Sequence, residues 1–325
     1  MEILLLGGTG FLGRRIALAA LELQHKITCL ARGSSPVPDG AGFVRADRDN
    51  ERGLDPVTGT QWDVVIDVSS QPGHVRRAVR DIETSHWVYV SSANAYADFS
   101  GLEQDEQSAL LDALDGDVMG DMSSYGEAKV ACEAAVRSAK VSSTVIRSGL
   151  IGGPGDDSGR SGYWPWRFAH PSGADVIVPD DLSFPCAMID VRDLAAWIIF
   201  VAEQKLDGIF NATGPTTSFG EVLSLAAEAA SARTPVRPVA VELLAEMGIS
   251  PWMGPASLPL WIDDPKLRGF ATLDTTRAHK AGLVTRPLIE TLRDALAYEE
   301  ERTSVRPTGL SDADEQRVRE ALKAG

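Results

Sequence analysis

A phenol and an ammonium stand one helical turn apart in this sequence. Tyr125 and Lys129 are four residues apart in a stretch, at about 124–139, whose apolar residues recur every three or four positions, so both side chains share one face of a predicted helix. A free tyrosine is a poor base at neutral pH, but a neighbouring cation favours its phenolate form. The pair therefore predicts proton transfer at a hydroxyl or carbonyl group. The same spacing also occurs in ordinary surface helices, so the pair needs support from other motifs.

A glycine-rich turn near the amino terminus is the second chemical feature. It reads GGTGFLG over 7–13, follows an apolar run and leads directly into an amphipathic stretch. This spacing fits the G-x-G-x-x-G turn, in which the backbone can approach a diphosphate and the free amides of a helix start face the anion. The residues predicted to bind a dinucleotide here are Gly7, Gly10, Phe11, Leu12 and Gly13.

The end of the second predicted strand indicates which dinucleotide is bound. An acidic residue there would hold the ribose hydroxyls of NAD, whereas an arginine matches the 2′-phosphate of NADP. The sequence has Arg32 and lacks the acid, which favours NADP with NAD as the alternative; the less favoured interpretation is that Arg32 is a solvated loop charge. Just past the third strand, Asp47 is placed either to accept a hydrogen bond from the adenine amine or to cap the next helix.

Alternating strands and helices must position these residues. Short apolar runs, which we predict to be strands, alternate with helix-like amphipathic stretches through the first half of the chain. The predicted strands lie at 2–6, 26–31, 42–46, 63–68, 87–92 and 143–147. The predicted helices lie at about 11–24, 72–84 and 124–139. This order predicts an α/β fold, a Rossmann-type doubly wound parallel sheet with helices on both faces.

The pattern changes after Arg147. Residues 149–185 are rich in Gly, Pro and aromatic residues, whereas 188–203 is again apolar and helix-like. We expect residues 1–150 to form the NAD(P)-binding domain, with a later return to it at about 186–214. Residues 151–325 would then form mostly a smaller, interleaved substrate-binding domain and a C-terminal helix, for which the acidic segment 311–314 is a suitable start.

Composition and charge exclude several classes of function. Lys and Arg total 31 against 46 Asp and Glu, and the resulting net charge of -15 opposes binding to nucleic acid. No apolar run approaches the roughly 20 residues of a membrane span, and the first residues lack the features of a secretion signal. Three widely spaced cysteines favour reduced thiols, and no His or Cys stands at metal-ligand spacing. We expect a cytoplasmic protein with a small-molecule substrate and no metal.

Together these motifs resemble the extended short-chain dehydrogenase/reductase type, the NAD-dependent epimerase/dehydratase family. The resemblance spans most of the chain. The matching segments are the dinucleotide turn at 7–13, the fourth-strand motif at 64–70, the serine strand at 89–96, the segment that closes over nicotinamide and substrate at 147–156, and two later landmarks at 189–195 and 210–214. Members of this family often dimerise through two helices, one of which carries the Tyr/Lys pair, so the resemblance leaves a homodimer open.

The resemblance implies roles for three residues. Ser92 would hydrogen-bond the reacting oxygen, Tyr125 would pass the proton, and Lys129 would hold the nicotinamide ribose and favour the phenolate. Ser91 is the competing serine and ranks second, because counting back from Tyr96 in the family's strand pattern points to Ser92. Either serine could instead simply satisfy the loop backbone at a strand end.

Two departures from the family pattern affect these expectations. The fourth-strand motif usually ends in His-Leu-Ala-Ala, whereas Asp67-Val68-Ser69-Ser70 here makes the wall beside the nicotinamide more polar. Dehydratase members carry Asp-Glu directly after the catalytic hydroxyl, where this chain has Ala93-Asn94. Asparagine cannot exchange a proton near neutral pH, so sugar dehydration is disfavoured. Asn94 remains a predicted substrate contact.

The other predicted substrate contacts are Arg160, Trp164 and Arg167, which lie where the resemblance puts the substrate. Aromatic faces suit a ring or a sugar, and an arginine suits a phosphate or a carboxylate. The aromatic residues could instead pack under a loop. A second cluster, with Trp252 and Trp261, is expected to fill the small domain rather than to line the cleft.

The sequence thus predicts an NAD(P)-dependent oxidoreductase or epimerase that moves hydride at an alcohol or ketone carbon of a sugar-like or small polar metabolite. The alternative is a non-catalytic relative, either a dinucleotide-binding sensor or an RNA-binding protein, since a fold does not fix a function. The joint presence of Ser92, Tyr125 and Lys129 argues against this alternative, and the acidic charge argues against RNA. Substrate, direction of hydride transfer and the choice between reductase and epimerase are not determined by the sequence.

Overall fold

The structure, a computed structural model, describes residues 1–324. Its strands are β1 (Glu2–Leu6), β2 (Lys26–Ala31), β3 (Gly42–Arg45), β4 (Val64–Asp67), β5 (His86–Ser92), β6 (Ser142–Ser148), β7 (Ile151–Gly152), β8 (Val176–Pro179), β9 (Pro185–Cys186), β10 (Ile189–Asp190), β11 (Gly208–Ala212), β12 (Thr217–Ser218), β13 (Val236–Val239), β14 (Ser250–Trp252) and β15 (Ser257–Pro259). Its α-helices are α1 (Phe11–Glu22), α2 (Asp55–Thr58), α3 (Pro72–Asp81), α4 (Tyr125–Arg137), α5 (Tyr163–Ala169), α6 (Val191–Gln204), α7 (Phe219–Ala229), α8 (Val241–Glu246), α9 (Thr276–Lys280), α10 (Leu288–Glu300) and α11 (Asp312–Ala324). None of the helices in the described range combines the length and the apolar character needed to cross a membrane.

Seven strands form one sheet in the order β11-β6-β5-β4-β1-β2-β3. Every neighbouring pair in it is parallel, which confirms the predicted Rossmann-type fold. The six strands predicted from the sequence are all present, and β11 adds a seventh that the apolar pattern alone did not identify. The three predicted helices of the first half correspond to α1, α3 and α4.

Strict alternation of side chains along β1 builds a core on each face of the sheet. Ile3 and Leu5 pack on one face with α1 and α6, whereas Leu4 and Leu6 pack on the other with α3 and α4. All four side chains are fully buried. A strand that is apolar on both faces is what a central strand of a parallel sheet requires, because helices cover both sides.

The parallel arrangement brings the carboxyl ends of the strands to one edge of the sheet, where ligands bind in open α/β folds. The glycine turn follows β1 at this edge, Arg32 follows β2, and Ser92 is the last residue of β5. Residues that are distant in sequence therefore become neighbours because they occupy equivalent positions at the ends of adjacent strands.

A second apolar core forms from the chain that follows β6. It is built mainly on α5, α7 and α10 and on the paired strands β8 and β13. The chain returns to the large sheet with β11, which pairs with β6. The chain therefore passes from the sheet into the second core after β6 and returns to the sheet at β11, so the second core lies beside the sheet.

A buried ion pair connects the C-terminal helix α11 to this second core. Glu315 on α11 is fully buried, and its Oε1 lies 3.1 Å from Nε of Arg167 on α5. Arg167 also contacts Asp312 at 2.7 Å and donates to the Leu310 carbonyl at 2.6 Å. Removing one partner of such a pair leaves the other charge buried without full compensation.

We predict that Arg167→Ala lowers the free energy of unfolding by about 3 kcal/mol, because Glu315 would keep only its contacts with Arg319 and Ser172. Urea denaturation followed by circular dichroism measures the loss. Arg160→Ala is the matched control and should change stability by less than about 1 kcal/mol, since Arg160 is only partly buried and is in no ion pair within residues 1–324. An equal effect of the two substitutions would contradict a structural role for Arg167.

A buried histidine at the start of β5 makes stability depend on pH. His86 is fully enclosed, and its ring nitrogens contact the hydroxyls of Ser142 at 2.8 Å and Thr144 at 3.0 Å. Burial, with a smaller contribution from Lys205, lowers the pKa of His86 from 6.5 to about 4. The unfolded chain therefore binds a proton at this residue at a higher pH than the folded chain does.

Lowering the pH through the ordinary histidine range should consequently destabilise the protein. Between pH 6.5 and 5 the protonation of His86 in the unfolded state alone should remove about 2 kcal/mol of stability. His86→Gln can keep a hydrogen bond and does not titrate, so its stability should fall less over the same interval. Urea melts of both proteins at several pH values test this, and a difference that does not vary with pH would refute it.

Candidate active site

The glycine turn after β1 forms an open cradle at the start of α1. Gly7 has φ +108°, and a Cβ on it would lie 2.6 Å from Cγ2 of Val68, so only glycine fits this turn. No side chain caps α1, and its first turn contains no acidic residue. A Cβ on Gly10 would meet no protein atom within 4 Å, which shows that the space in front of the helix is open. The cradle fits a diphosphate because its free amides and the helix dipole favour an anion.

Two adjoining cavities form a groove along this edge of the sheet, which we call the dinucleotide groove. One of about 250 Å³ is lined by Gly7, Gly10, Phe11, Leu12, Gly13, Val68, Val90, Ser91, Tyr125, Lys129, Ser148 and Ile151. The other, of about 290 Å³, is lined by Gly7, Thr9, Leu30, Ala31, Arg32, Ser34, Ala46, Asp47, Arg48, Asp49, Ser69, Gln71 and His74. The structure therefore brings together all residues that the sequence predicted to bind the cofactor.

The two arginines in the groove differ in how their charges are balanced. Arg48 is buried and its guanidinium is held by the carboxylate of Asp67, with Nη2 2.8 Å from Oδ2. Arg32 is exposed at the end of β2 and takes part in no ion pair within residues 1–324. Arg32 is thus the cation available to a ligand anion at this end of the groove. Asp47 is also exposed there, and its carboxylate accepts a hydrogen bond from the Asp49 amide at 3.0 Å.

Lys129 is buried between the groove and the sheet. Its Nζ donates to the carbonyls of Ser69 at 2.9 Å and Val90 at 2.8 Å, and it lies 5.7 Å from the centre of the Tyr125 ring. An ammonium has three N–H donors, so one is left for a ligand. Tyr125 is the first residue of α4 and lines both the groove and the large cavity beside it. The phenol of Tyr125 and the ammonium of Lys129 therefore lie next to each other where the dinucleotide groove meets the large cavity.

The two serines at the end of β5 have different surroundings. Ser91 donates to Oε1 of Glu133 at 2.5 Å, and Glu133 is in turn held by Arg147. Ser92 lines the large cavity together with Tyr125, and its hydroxyl donates to Oδ1 of Asn94 at 2.9 Å. The Ser91 hydroxyl is thus engaged by a buried charge, whereas the Ser92 hydroxyl lies at the cavity wall.

Close packing of α4 brings Tyr125 to this cavity. A Cβ on Gly126 would lie 2.2 Å from the carbonyl oxygen of Asn94, so α4 can approach the end of β5 only with glycine at this position. Glycine directly after Tyr125 is therefore required for the tyrosine and Ser92 to line the same space.

The large cavity has a volume of about 470 Å³, and apolar side chains form most of its wall. The lining residues are Phe11, Ser92, Ala93, Asn94, Met122, Tyr125, Ser148, Gly149, Leu150, Ile151, Asp156, Asp157, Ser158, Arg160, Trp252, Met253, Phe270 and Ala271. The rings of Trp252 and Phe270 meet edge to face at 5.2 Å, which makes one side of the cavity a fixed aromatic surface.

Arg160 is the one cation among these lining residues. Its guanidinium lies 5.4 Å from the centre of the Trp252 ring, and its Nε donates to the Ser158 hydroxyl at 3.2 Å. Partial burial lowers the pKa of Arg160, although Asp156 and Tyr125 act in the opposite direction. The two terminal nitrogens form no hydrogen bond with the part of the chain that the structure describes. Asn94 and Arg160, both predicted as substrate contacts, are therefore at the cavity.

Two other predicted substrate contacts are wrong. Trp164 is fully buried, donates to the Pro259 carbonyl at 2.9 Å and packs edge to face on Phe219. Arg167 is only 1% exposed and forms the ion pair with Glu315. Both residues face the second core because the segment forms the helix α5. The four-residue spacing of Trp164 and Phe168 was the available signal for a buried helix face.

Trp252 was assigned to packing from the sequence, but it lines the large cavity. Trp261 is buried as expected. Trp252, Met253 and Phe270 reach the cavity from a part of the chain that carries no recognisable motif. Only their position in three dimensions reveals them, since nothing in the local sequence distinguishes an aromatic cavity wall from an aromatic core.

The fold has counterparts among solved structures. UDP-glucose 4-epimerase from Thermotoga maritima, solved with UDP-glucose, is 17% identical with a TM-score of 0.67, over 93% of this chain and 99% of that one. WbmH from Bordetella bronchiseptica, solved with NAD+, is 19% identical with a TM-score of 0.67, over 93% and 99%. UDP-glucose 4-epimerase from Thermus thermophilus, solved with NAD, is 18% identical with a TM-score of 0.62, over 93% and 100%. At such identities the likeness establishes the fold.

The family follows from the sequence itself. No curated protein sequence matches the chain significantly. The sequence profile of the NAD dependent epimerase/dehydratase family, however, matches residues 3–86 and 75–213, which is more than half of the chain. These segments contain the dinucleotide turn, Ser92, Tyr125 and Lys129. The chain belongs to the NAD dependent epimerase/dehydratase family and is an NAD-dependent oxidoreductase or epimerase of the extended short-chain dehydrogenase/reductase type.

Proposed function

We propose that this enzyme uses NADP(H) to interconvert a ketone and an alcohol, with Ser92, Tyr125 and Lys129 as its catalytic residues. The observation that carries the proposal is the meeting of two spaces at Tyr125, which lines both the dinucleotide groove and the large cavity. A ligand in the cavity and a nicotinamide in the groove would share this one phenol. Ser92 faces the cavity side, and Lys129 faces the groove side.

Four parts of the cofactor would each have a partner in the groove. The first-turn amides of α1, at Phe11, Leu12 and Gly13, would hold the diphosphate. Asp47 would accept from the adenine amine, and Lys129 would donate its remaining N–H to the nicotinamide ribose. Arg32 would hold the 2′-phosphate of NADP, because its charge is not balanced by a carboxylate within residues 1–324.

The chain's own residues perform the proton transfer. A bound reduced nicotinamide supplies the hydride to the carbonyl carbon. Ser92 donates a hydrogen bond to the carbonyl oxygen and so stabilises the negative charge that develops there. Tyr125 gives its proton to that oxygen as the C=O π bond breaks, and the positive charge of Lys129 stabilises the phenolate that remains. Oxidation of the alcohol uses the same groups in reverse.

The walls of the large cavity favour an apolar substrate with one anionic group. Two carboxylates, Asp156 and Asp157, and one guanidinium, Arg160, line it. A nucleoside diphosphate sugar has a charge on each phosphate and would meet more carboxylates than cations. A single carboxylate can pair with Arg160 while a ring or aliphatic body packs on Trp252 and Phe270. We therefore propose a carbonyl compound of this class in preference to a nucleotide sugar.

A non-catalytic role is not supported by this arrangement. A redox sensor needs the groove but does not need a serine and a phenol that line an adjoining cavity. An RNA-binding relative needs a basic surface, whereas the net charge is -15.

Tyr125→Phe should reduce NADPH oxidation with a carbonyl substrate at least about 100-fold, because it removes the proton donor. Affinity for NADPH, measured by its fluorescence, should remain unchanged.

The test panel for the substrate class contains para-acetylbenzoate, acetophenone and UDP-glucose, the last with NADP+ or NAD+. We expect para-acetylbenzoate to be preferred, and Arg160→Gln to remove that preference with about a tenfold loss in kcat/KM.

Tyr163→Phe is the matched control, since it removes the buried hydroxyl of a core tyrosine and should leave the rate unchanged. Full activity of Tyr125→Phe would refute the catalytic assignment. Turnover of UDP-glucose with no reduction of the aryl ketones would refute the substrate class and leave the assignment of Tyr125 intact.

Arg32→Ala should weaken binding of NADPH by about tenfold or more and leave binding of NADH almost unchanged, because only NADPH carries the 2′-phosphate. Fluorescence titration of each reduced cofactor measures both constants. Arg52→Ala serves as control, because Arg52 is an exposed arginine that pairs with Asp55 and does not line the groove. Equal losses for both cofactors, or none for either, would count against NADP as the preferred cofactor.

A further inference from the structure

Asp67, the last residue of β4, is a buried carboxylate directly beneath the dinucleotide groove. It is 0% exposed, and its Oδ1 accepts three hydrogen bonds, from Arg48 Nη1 at 3.1 Å, the Ser69 amide at 2.9 Å and the Ser69 hydroxyl at 2.6 Å. Its Oδ2 accepts from Arg48 Nη2 at 2.8 Å. A buried carboxylate needs such compensation, and Arg48 provides it.

The charge of this carboxylate is secured by its partners. Burial alone would raise the pKa of Asp67, but the charge of Arg48 and the hydrogen bonds from Arg48 and Ser69 outweigh it and hold the pKa below its usual range. Arg48 is fixed as well, since it also donates to the His74 carbonyl at 2.7 Å. Arg48, which lines the groove, is therefore held both by Asp67 beneath it and by the His74 carbonyl.

The hydrogen bond from the Ser69 amide to the Asp67 side chain defines the backbone turn between β4 and α3. An Asp side chain that accepts from the amide two residues later fixes the path of that segment. In this turn the Ser69 carbonyl accepts from Lys129 Nζ at 2.9 Å and from the Tyr89 hydroxyl at 3.0 Å. The orientation of one of the two carbonyls that bind Lys129 therefore depends on Asp67.

We propose that Asp67 is a positioning residue, which through the Ser69 turn holds the ammonium of Lys129 beside Tyr125. This inference rests on the proposed function, in which Lys129 acts on Tyr125 and on the cofactor ribose. It also gives a reason for the departure of 67–70 from the His-Leu-Ala-Ala pattern. In this chain the hydrogen-bond acceptor that shapes the turn is the carboxylate of Asp67, and the buried Arg48 balances its charge.

The alternative is that the ion pair only stabilises the fold. Two double variants separate these roles, since neither leaves an unpaired buried charge. Arg48→Gln with Asp67→Asn removes both charges but keeps an oxygen that can accept from the Ser69 amide. Arg48→Met with Asp67→Leu removes the charges and the acceptor and fills a similar volume, a replacement that buried pairs often tolerate.

The readouts are NADPH affinity, by fluorescence titration, and the pH dependence of kcat/KM for the aryl ketone that the wild type reduces fastest. In the Met/Leu variant the high-pH limb of this profile should move up by about one pH unit, because the ammonium of Lys129 is less well placed beside the phenol. Its Kd for NADPH should rise about fivefold. The Gln/Asn variant should keep the wild-type pH profile, and its Kd for NADPH should lie closer to the wild-type value than the Kd of the Met/Leu variant does. Arg160, which lines the large cavity together with Tyr125, is unchanged throughout.

Identical behaviour of the two variants, whether both shifted or both unchanged, would overturn the proposal. If the Met/Leu variant does not fold, Arg48→Met with Asp67→Ala decides, because it also removes both charges and the acceptor of the Ser69 amide bond. An upward shift of the high-pH limb supports the positioning role, and a wild-type profile overturns it. Failure of the proposed function itself would appear differently, as full activity of Tyr125→Phe.

Discussion

The site depends on one buried ammonium held by backbone carbonyls of two adjacent strand ends. Lys129 donates to the carbonyl of Val90 within β5 and to that of Ser69 just beyond β4. A lone ammonium would be costly at such depth, and these two acceptors compensate for most of its lost hydration. The same bonds fix α4 against the sheet, so the position of Tyr125 follows from the position of the lysine. Catalytic geometry and local packing are therefore set by the same contacts.

Charge balance distinguishes structural arginines from those free to meet a ligand. Arg48, Arg147 and Arg167 are buried, and each is matched by a carboxylate. Among the arginines that line the groove and the large cavity, Arg32 and Arg160 lack such a partner within residues 1–324. They stand at opposite ends of the combined space. In an acidic protein, two unbalanced guanidinium groups at these points are what an anionic cofactor at one end and an anionic substrate at the other would require.

Membership of the family fixes the sheet and the dinucleotide turn more strongly than it fixes the substrate. The structural counterparts share the fold although less than a fifth of their residues are identical to those of this chain. One side of the large cavity is formed by Trp252, Met253 and Phe270, which come from the part of the chain beyond the matched family profile. The proposed preference for a substrate other than a nucleotide sugar combines this aromatic side with the charges of Asp156, Asp157 and Arg160, which lie within the matched profile.

The sequence alone was sufficient for the sheet, for the glycine turn and for the Tyr125/Lys129 pair, because each depends on periodicity or spacing within a few residues. It singled out Arg32 and Arg160, which line the groove and the large cavity, yet it placed Trp164 and Arg167 beside the substrate and Trp252 in the core. Those errors share one cause, since a ring or a guanidinium has the same local pattern in a core and in a cavity wall. Only the packing of α5 on α7 and α10 decides which side of α5 faces the second core. The link from Asp67 through Ser69 to Lys129 likewise joins residues 60 positions apart, and it exists only once the strand ends are adjacent.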